Sequence, residues 1–445
     1  MNKSIPVADA PILARSLSLL DVIVYGLLYF VPIAPVSVFG ALHNAANGMT
    51  ALTYLLAAIT MIFSAISYSE MAKRIPLSGS VYSYVSSGTN PFFGFLAGWA
   101  LLLDYLLLPA LLAILGAAAL EPLFPNIQKP VWLLIFVFVP FVVNLFGITV
   151  NVKFGKILLI IQLLVLSVFF YFAIGKIFAQ GVSADALLAP LFNRKLFSIT
   201  AVFGAIPIAA LSFIGFDAVS TLNEETAGGG ETVSRATLLL LVIVTLLFVG
   251  QVYVASVFVP VNSRFDANSV DTAFYTVSSG IVGHWFLPVI TLTNALIALL
   301  ANALISQATT AKVIFCMARD KQLPHRLAKL NKRGAPSAAL LLVAIVSIVI
   351  SLLTMNKIEV VVTIVTFGAL CAYVMLHVAV LIYFRRDGNK SIFLHVISPI
   401  LGAATLSYAL FNANPHAQVL GLIWLGIGLA VALFIRKRGI SNISM

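Results

Sequence analysis

Residues 207–217 read PIAALSFIGFD, an apolar stretch that opens with a proline and closes with a glycine, a phenylalanine and an aspartate. Proline removes a backbone donor and glycine weakens a helix, so the stretch predicts a helix broken near its middle. The surrounding residues, 198–221, are apolar over the length of a membrane span. A helix broken inside a bilayer is tolerated where its free backbone groups line a cavity, so the stretch predicts a site for a polar solute.

A second broken helix is predicted near the start of the chain, where residues 25–35 read YGLLYFVPIAP. Pro32 and Pro35 are three residues apart, and Gly26 adds a weak point. This is the first predicted helix and 198–221 is the sixth, the spacing expected if helices one to five and six to ten are inverted repeats with the site at both breaks. The alternative is that these residues only kink packed helices.

The composition supports a membrane protein. Of 445 residues, 61% are hydrophobic and 9% are charged, whereas an average soluble domain has about 25% charged residues. No soluble core of this size can bury so much apolar surface, so the excess must face lipid. Apolar windows predict twelve transmembrane helices, at 18–41, 50–70, 92–119, 131–150, 155–178, 198–221, 236–260, 284–314, 338–355, 358–384, 393–412 and 417–435.

The basic residues indicate the orientation of these helices. With both termini in the cytoplasm, twenty of the 26 Lys and Arg residues fall in cytoplasmic segments, as the positive-inside rule requires. The net charge of +11 is therefore assigned to an anionic membrane surface and not to nucleic acid. We expect a multi-pass protein of the bacterial inner membrane, a monomer or weak homo-oligomer, whose partners are the lipid bilayer and a small cationic solute.

The predicted helices divide the chain into five segments. They are a cytoplasmic tail at 1–17, a first five-helix repeat at 18–178, a second at 198–384, helices eleven and twelve at 393–435, and a cytoplasmic tail at 436–445.

Two other functional classes fit the sequence poorly. Cys316 and Cys371 lie in apolar runs without a metal-binding or redox spacing, and the six histidines are scattered. An intramembrane enzyme needs a nucleophile with a base or a metal cluster, and no such motif occurs in the sequence. We therefore expect neither an enzyme nor a channel, and no cofactor or bound metal.

Three motifs resemble those of the amino acid–polyamine–organocation (APC) superfamily. They are SFIGFDAVSTLNEET at 212–226, YSEMAKRIPLSGSVYSY at 68–84, and TAK at 310–312 followed by MARDKQLP at 317–324. The resemblance implies an all-α membrane fold with a LeuT-like five-plus-five inverted repeat and two additional C-terminal helices. It also implies secondary active transport, by symport, in which helices one, two, six and seven rock against a scaffold of helices three, four, eight and nine.

Helix three narrows the resemblance within the superfamily. Gly98 and Trp99 are followed by LLDY at residues 102–105, which looks most like bacterial putrescine importers. The helix-one stretch GLLYFVP, at 26–32, is similar to theirs too. The resemblance thus implies import of putrescine or a related polyamine by alternating access.

The first break also carries information about the solute. Superfamily members that transport amino acids typically have a Gly-Ser-Gly break, whose amides can hold the substrate carboxylate. The matching residues here are Phe30, Val31 and Pro32, which are bulky or lack an N–H, so we expect a solute with amines and no carboxylate. The alternative is that the break is shifted by a few residues and still exposes amides, which fits a permease for a cationic or neutral amino acid.

Asp104 and Asp217 fall well inside apolar helices, with no Lys or Arg at a comparable depth in the sequence. An ionised carboxylate in the bilayer interior is costly unless it is paired, so each is a functional candidate. A dication such as putrescine could supply the missing charges. The alternatives are a protonated Asp104 bonded to a neighbouring hydroxyl, and an Asp217 that only holds the helix-six break together.

Further candidate substrate-binding residues surround the two breaks and Asp104. The tyrosines offer hydroxyl acceptors and cation–π faces, and Phe213 and Phe216 are candidate gates that close over the solute. The full set is Tyr25, Tyr29, Pro32, Tyr105, Phe213, Ile214, Gly215 and Phe216.

Residues for ion coupling or gating are predicted with the coupling ion, proton or sodium, left open. The resemblance implies that proton-coupled relatives often have a lysine on helix five, where this chain has Gln162, and a glutamine cannot cycle a proton. Asp104, Asp217 or Glu70 would then carry the proton, whereas Asp217 or Ser306 could help to hold sodium. The remaining acids near the cytoplasmic face are expected to cap helix ends or to pair with Lys and Arg; they are Asp21, Glu70, Glu224 and Glu225.

Overall fold

A computed structural model describes residues 15–120, 124–260, 263–266, 269–355, 358–388, 391–411 and 415–437. These residues form helices and short connections, and the β-bridge found among them pairs Leu17 with Thr226. Of the predicted terminal tails, residues 1–14 and 438–445 lie outside the described part of the chain.

The helices occur along the chain in the predicted order. The N-terminal half contains α1 Leu19–Phe30, α2 Pro35–Ala45, α3 Thr50–Arg74, α4 Val81–Gly88, α5 Pro91–Leu120, α6 Lys129–Leu145, α7 Ile148–Gln180, α8 Ala184–Leu188 and α9 Ile199–Leu211. The C-terminal half contains α10 Phe216–Ser220, α11 Gly229–Val257, α12 Ala273–Val282, α13 Phe286–Leu292, α14 Leu299–Arg319, α15 Ser337–Thr354, α16 Ile358–Asp387, α17 Ser398–Phe411 and α18 Pro415–Lys437. A π-helical segment, Thr293–Ala298, joins α13 to α14.

The all-helical membrane fold is confirmed, while the exact number of spans stays a prediction. Among the described residues, eight helices are long and apolar enough to cross a membrane, or nine if the bent pair of α1 and α2 is one span. Predicted helices four, six and twelve correspond to shorter apolar helices, at Lys129–Leu145, Ile199–Ala210 and Gln418–Phe434. The inverted repeat and the boundaries of the two repeats also stay predictions.

Three short helices lie in segments that the sequence analysis left as connections. They are α4, between the second and third predicted spans, α8, between the fifth and sixth, and α12, between the seventh and eighth. None is long enough to produce a twenty-residue apolar window, which is why hydropathy does not identify them. The α4 helix is largely buried and packs against α5 and α16.

The predicted break in helix one is confirmed. The α1 helix ends at Phe30, α2 begins at Pro35, and their axes meet at 52°. Val31 ends α1 with a φ of 56°, in the left-handed region that a β-branched residue rarely adopts. Such backbone strain costs about 1–3 kcal/mol and is found mainly at functional sites.

The break in helix six is confirmed as well, and it lies against the first. The α9 helix ends at Leu211 and α10 begins at Phe216. Gly215 lies in the break, where an added Cβ would be 2.9 Å from Tyr29 Cδ1 and 3.0 Å from Phe30 Cε1. A residue without a side chain is therefore required for the two breaks to approach this closely.

Packing of the long helices places both breaks between two groups of helices. The α3 helix packs on α11, which also contacts α1. The α5 helix packs on α16, α14 and α6. The broken segments lie between these groups, where backbone polar groups can face a cavity and not lipid.

Candidate functional site

A cavity of about 320 Å³ lies beside the two breaks. This volume is at the lower end of the range for sites that bind small molecules. Its walls come from five stretches of the chain: the first break with the start of α2, α5, the second break, the π-helical segment with the start of α14, and α16. The lining residues are Tyr29, Phe30, Val31, Ala34, Ser37, Val38, Asp104, Leu108, Leu111, Leu112, Leu115, Ser212, Ile214, Asn294, Leu299, Asn302 and Val365.

Asp104 is the one acidic residue among those that line the cavity. Its side chain is 1% exposed, and its Oδ2 has no hydrogen-bond partner among the described residues. No Lys, Arg or His among the described residues lines the same cavity. A buried carboxylate in these surroundings favours a cationic group in the cavity, because that group would supply the missing hydrogen bond and the opposite charge.

Asp217 is also buried, but its carboxylate is already satisfied. It lies in the first turn of α10 and accepts hydrogen bonds from the hydroxyls of Tyr105 and Tyr373. Its backbone carbonyl accepts a third bond from Ser80 Oγ at 3.1 Å. Asp217 does not line the cavity and joins α10 to α5 and α16, as expected under the alternative that it holds the break together.

The two helix-one tyrosines differ in their relation to the cavity. Tyr29 lines the cavity, and its hydroxyl has no partner among the described residues. Tyr25, one turn earlier, is fully buried away from the cavity; its hydroxyl bonds to Thr309 Oγ1 at 3.0 Å, and Lys312 Nζ lies 5.4 Å from its ring. Tyr29 is thus positioned for solute contact, whereas Tyr25 connects α1 to α14.

Of the remaining candidates at the breaks, one lines the cavity and the others contact neighbouring helices. Ile214 lines the cavity, but Phe213 packs on Phe248 with ring centroids 5.2 Å apart. Phe216 packs edge-on against Phe30, with ring centroids 5.1 Å apart, and is not among the lining residues. The Pro32 carbonyl accepts a bond from Gln251 Nε2 at 2.9 Å. Roles of Phe213 and Phe216 as gates stay predictions.

The backbone amides at the breaks are largely occupied. The Val31 amide donates to the Leu27 carbonyl at 3.0 Å, and the Ala34 amide donates to the Val31 carbonyl at 2.8 Å. The Gly215 amide donates to the Tyr373 hydroxyl at 3.3 Å. Since Pro32 and Pro35 have no N–H, the first break offers few donors to a carboxylate.

The candidates for coupling have three different environments. Glu70 pairs with Lys73 at 2.8 Å and with His395 at 3.1 Å. Ser306 donates to the Ala303 carbonyl within its own helix at 3.2 Å. Gln162 is fully buried, and neither of its amide atoms has a partner among the described residues.

An ion-pair cluster, formed by Glu224, Glu225, Lys312 and Arg319, lies at the other end of the broken helices. Arg319 forms two bonds of 2.8 Å with Glu224, and Lys312 pairs with Glu225. Burial favours a higher pKa for the Glu224 carboxyl, but the hydrogen bonds and charge of Arg319 outweigh it and place the pKa below its usual value.

The cluster confirms that the acids near the predicted cytoplasmic face pair with basic residues or cap helix ends. Asp21 does both, because it forms a capping box with Ser18 and an ion pair with Lys156 at 2.6 Å. Lys312, near the end of the eighth predicted helix, is 4% exposed. The cluster lies at the C-terminal half of α14, next to the Tyr25 ring, whereas the cavity is lined from the start of α14. The cluster and the cavity are therefore on opposite sides of the breaks.

Sequence reasoning missed three polar residues of this region. Tyr373 bonds Asp217 from α16, and Asn294 and Asn302 line the cavity from the other wall. The two asparagines could have been identified from the sequence, because a neutral amide inside an apolar helix is unusual. They were missed because only ionisable groups were treated as candidates at membrane depth.

Comparison with known proteins identifies relatives over most of the chain. A model of the amino acid permease family matches residues 22–390. The low-affinity putrescine importer PlaP of Escherichia coli is 29% identical over 439 residues, covering 96% of this chain and 94% of the relative. The branched-chain amino acid permease BcaP of Bacillus subtilis is 24% identical over 90% of this chain and 88% of the relative. The gamma-aminobutyric acid permease of the same organism is 28% identical over 67% of this chain and 64% of the relative.

Proposed function

This chain belongs to the amino acid permease family of membrane transporters, and we propose that it imports putrescine or a related polyamine across the bacterial inner membrane. The observation that carries the proposal is the buried carboxylate of Asp104, whose Oδ2 has no partner among the described residues and whose cavity none of their basic side chains lines. An ammonium group of the solute would bind this carboxylate, with Tyr29 offering its hydroxyl and ring.

The first break supports a solute without a carboxylate. An amino acid needs donors for its carboxylate as well as an acceptor for its amine. In this chain the Val31 and Ala34 amides bond within the break, and two prolines remove two further donors. The aliphatic chain of a polyamine would instead contact the leucines of α5 that line the cavity.

The contents of the two sides of the breaks support transport by alternating access. The cavity lies on one side, and the ion-pair cluster and buried aromatic residues lie on the other. We propose that solute enters from the cavity side, and that release requires the ion-pair cluster to separate and the cavity to close. Asp217 would move with α10 as a structural part of the break.

Uptake of radiolabelled putrescine into proteoliposomes tests the proposal, with unlabelled polyamines and amino acids as competitors. We expect putrescine to enter and polyamines to compete, while branched-chain amino acids and gamma-aminobutyric acid, the solutes in the names of the other two relatives, do not. No uptake of putrescine by proteoliposomes that do take up a labelled amino acid would overturn the proposal and assign the chain as an amino acid permease.

A further inference from the structure

The amide of Asn302 is an unused polar group in the cavity wall. Asn302 lies in the first turn of α14, directly after the π-helical segment Thr293–Ala298. It lines the cavity, and none of the described residues forms a hydrogen bond with its side chain; its Oδ1 is buried. The neighbouring Asn294, in contrast, donates to Tyr275 at 2.7 Å and to Ser37 at 3.3 Å. An unsatisfied amide beside a cavity is a candidate ligand for solute.

Asn302 is far from Asp104 along the cavity. The Thr310 hydroxyl donates to the Tyr105 carbonyl at 2.8 Å, so Thr310 lies at the level of the residue that follows Asp104. Asn302 is eight residues from Thr310 within α14, which corresponds to about 12 Å along the helix axis. The two side chains are therefore at different ends of the cavity.

The direction of the helices increases this separation. Leu299 packs against a buried cluster that includes Ile114 and Ala117 of α5, whereas Thr310 bonds the Tyr105 carbonyl, so α14 runs antiparallel to α5. Helical side chains lean toward the N-terminus of their own helix. The carboxylate of Asp104 and the amide of Asn302 therefore lean away from each other, and their polar atoms are more than about 13 Å apart.

An apolar wall connects these two polar groups. Leu108, Leu111, Leu112 and Leu115 line the cavity from α5 beyond Asp104. Their spacing of three and four residues places them on one face of the helix. The cavity thus offers a carboxylate, an apolar stretch and a neutral amide in that order.

We propose that Asn302 binds the far end of the solute, so that the site prefers polyamines longer than a four-carbon diamine. An extended chain advances about 1.2 Å per bond. With a hydrogen bond of about 3 Å at each end, putrescine reaches about 12 Å and the linear triamine spermidine about 17 Å. The inference rests on the proposed function, because it takes the ammonium site at Asp104 as given.

The test compares amines of increasing length as competitors of putrescine uptake. The series runs from 1,3-diaminopropane through 1,8-diaminooctane, with spermidine, in the full-length protein in proteoliposomes. We expect spermidine and 1,8-diaminooctane to compete more strongly than the four-carbon diamine. A maximum at four carbons would overturn the proposal.

Two substitutions at Asn302 give opposite expected results. Asn302→Leu removes the amide and should weaken competition by spermidine, relative to putrescine, by about tenfold, the value of one hydrogen bond to a charged group. Asn302→Asp adds an opposite charge and should strengthen it by about the same factor. If Asn302→Leu fails to fold, Asn302→Asp and the length series still decide.

The outcome also separates this inference from the proposed function. If both Asn302 variants change competition by every amine equally, Asn302 does not read the length of the solute, although amine transport stands. If the wild-type protein takes up no putrescine, the proposed function itself fails.

Discussion

At the scale of single residues, two buried carboxylates have different surroundings and therefore different roles. Asp217 receives hydroxyl bonds from Tyr105 and Tyr373, which satisfy its charge inside the protein. Asp104 has an oxygen without a partner among the described residues and faces the cavity. A satisfied carboxylate holds the structure together, whereas an unsatisfied one is prepared for a ligand.

Replacing Tyr373 with phenylalanine should destabilise the helix-six break. Tyr373→Phe removes one donor to Asp217 and also the acceptor for the Gly215 amide. A buried polar group left without its partner costs about 1–3 kcal/mol. We expect a lower midpoint of thermal unfolding in detergent and reduced uptake.

The matched control lies on the same helix. Tyr383 is half-buried, and its hydroxyl forms no hydrogen bond with the described residues, so Tyr383→Phe should leave the midpoint unchanged. Equal midpoints for Tyr373→Phe and the wild-type protein would contradict the role assigned to Tyr373.

The sequence identified both aspartates from their depth in apolar helices, but it could not distinguish their roles. Tyr373 is 156 residues from Asp217 along the chain, so their contact depends on how α16 packs against α10. Tyr105 was predicted as a solute ligand, and its hydroxyl bonds Asp217; direct contact with solute stays a prediction.

At the scale of helices, the two breaks determine where the cavity lies. Proline and glycine positions were sufficient to predict both breaks, because these residues interrupt helices wherever they occur. The 52° bend and the left-handed conformation of Val31 could not be predicted, since they depend on how the two broken helices pack against each other. The short helices α4, α8 and α12 were missed because they are shorter than a membrane span.

A methyl group at Gly215 should separate the two breaks. In Gly215→Ala the Cβ would lie 2.9 Å from Tyr29 and 3.0 Å from Phe30, so the backbone or the aromatic rings must move. Overpacking of this kind costs about 1–3 kcal/mol, and it displaces Tyr29 from its position in the cavity wall. We expect uptake to fall by at least about tenfold.

Gly175→Ala is the control for this substitution. Gly175 lies inside α7, and an added Cβ meets nothing within 4 Å, so alanine there should be neutral or stabilising. Normal uptake by Gly215→Ala would show that the breaks do not need their close approach.

At the scale of the whole molecule, the cavity and the ion-pair cluster lie on opposite sides of the broken helices. The bias of basic residues in the sequence predicts that the cluster faces the cytoplasm. Composition was sufficient to predict a membrane protein, since that conclusion depends on sums over many residues. The full lining of the cavity was not predictable, because it comes from five segments distant in sequence.

Labelling of single cysteines tests the predicted orientation. Lys195 and Lys332 are exposed in two loops that twelve spans place on opposite sides of the membrane. In a Cys316→Ser, Cys371→Ser background, an impermeant maleimide should label Lys195→Cys in spheroplasts. Lys332→Cys should react only after permeabilisation, and the reverse pattern would contradict the orientation.

The most direct test of the ammonium site is putrescine uptake by Asp104→Asn. Breaking one partner of a buried ion pair costs about 3–5 kcal/mol, so uptake should fall by at least about 100-fold while the protein remains monodisperse. Asp185→Asn, an exposed aspartate in α8, should transport as the wild-type protein does. Uptake by Asp104→Asn within about twofold of that control would contradict the assignment of Asp104 as the ammonium site.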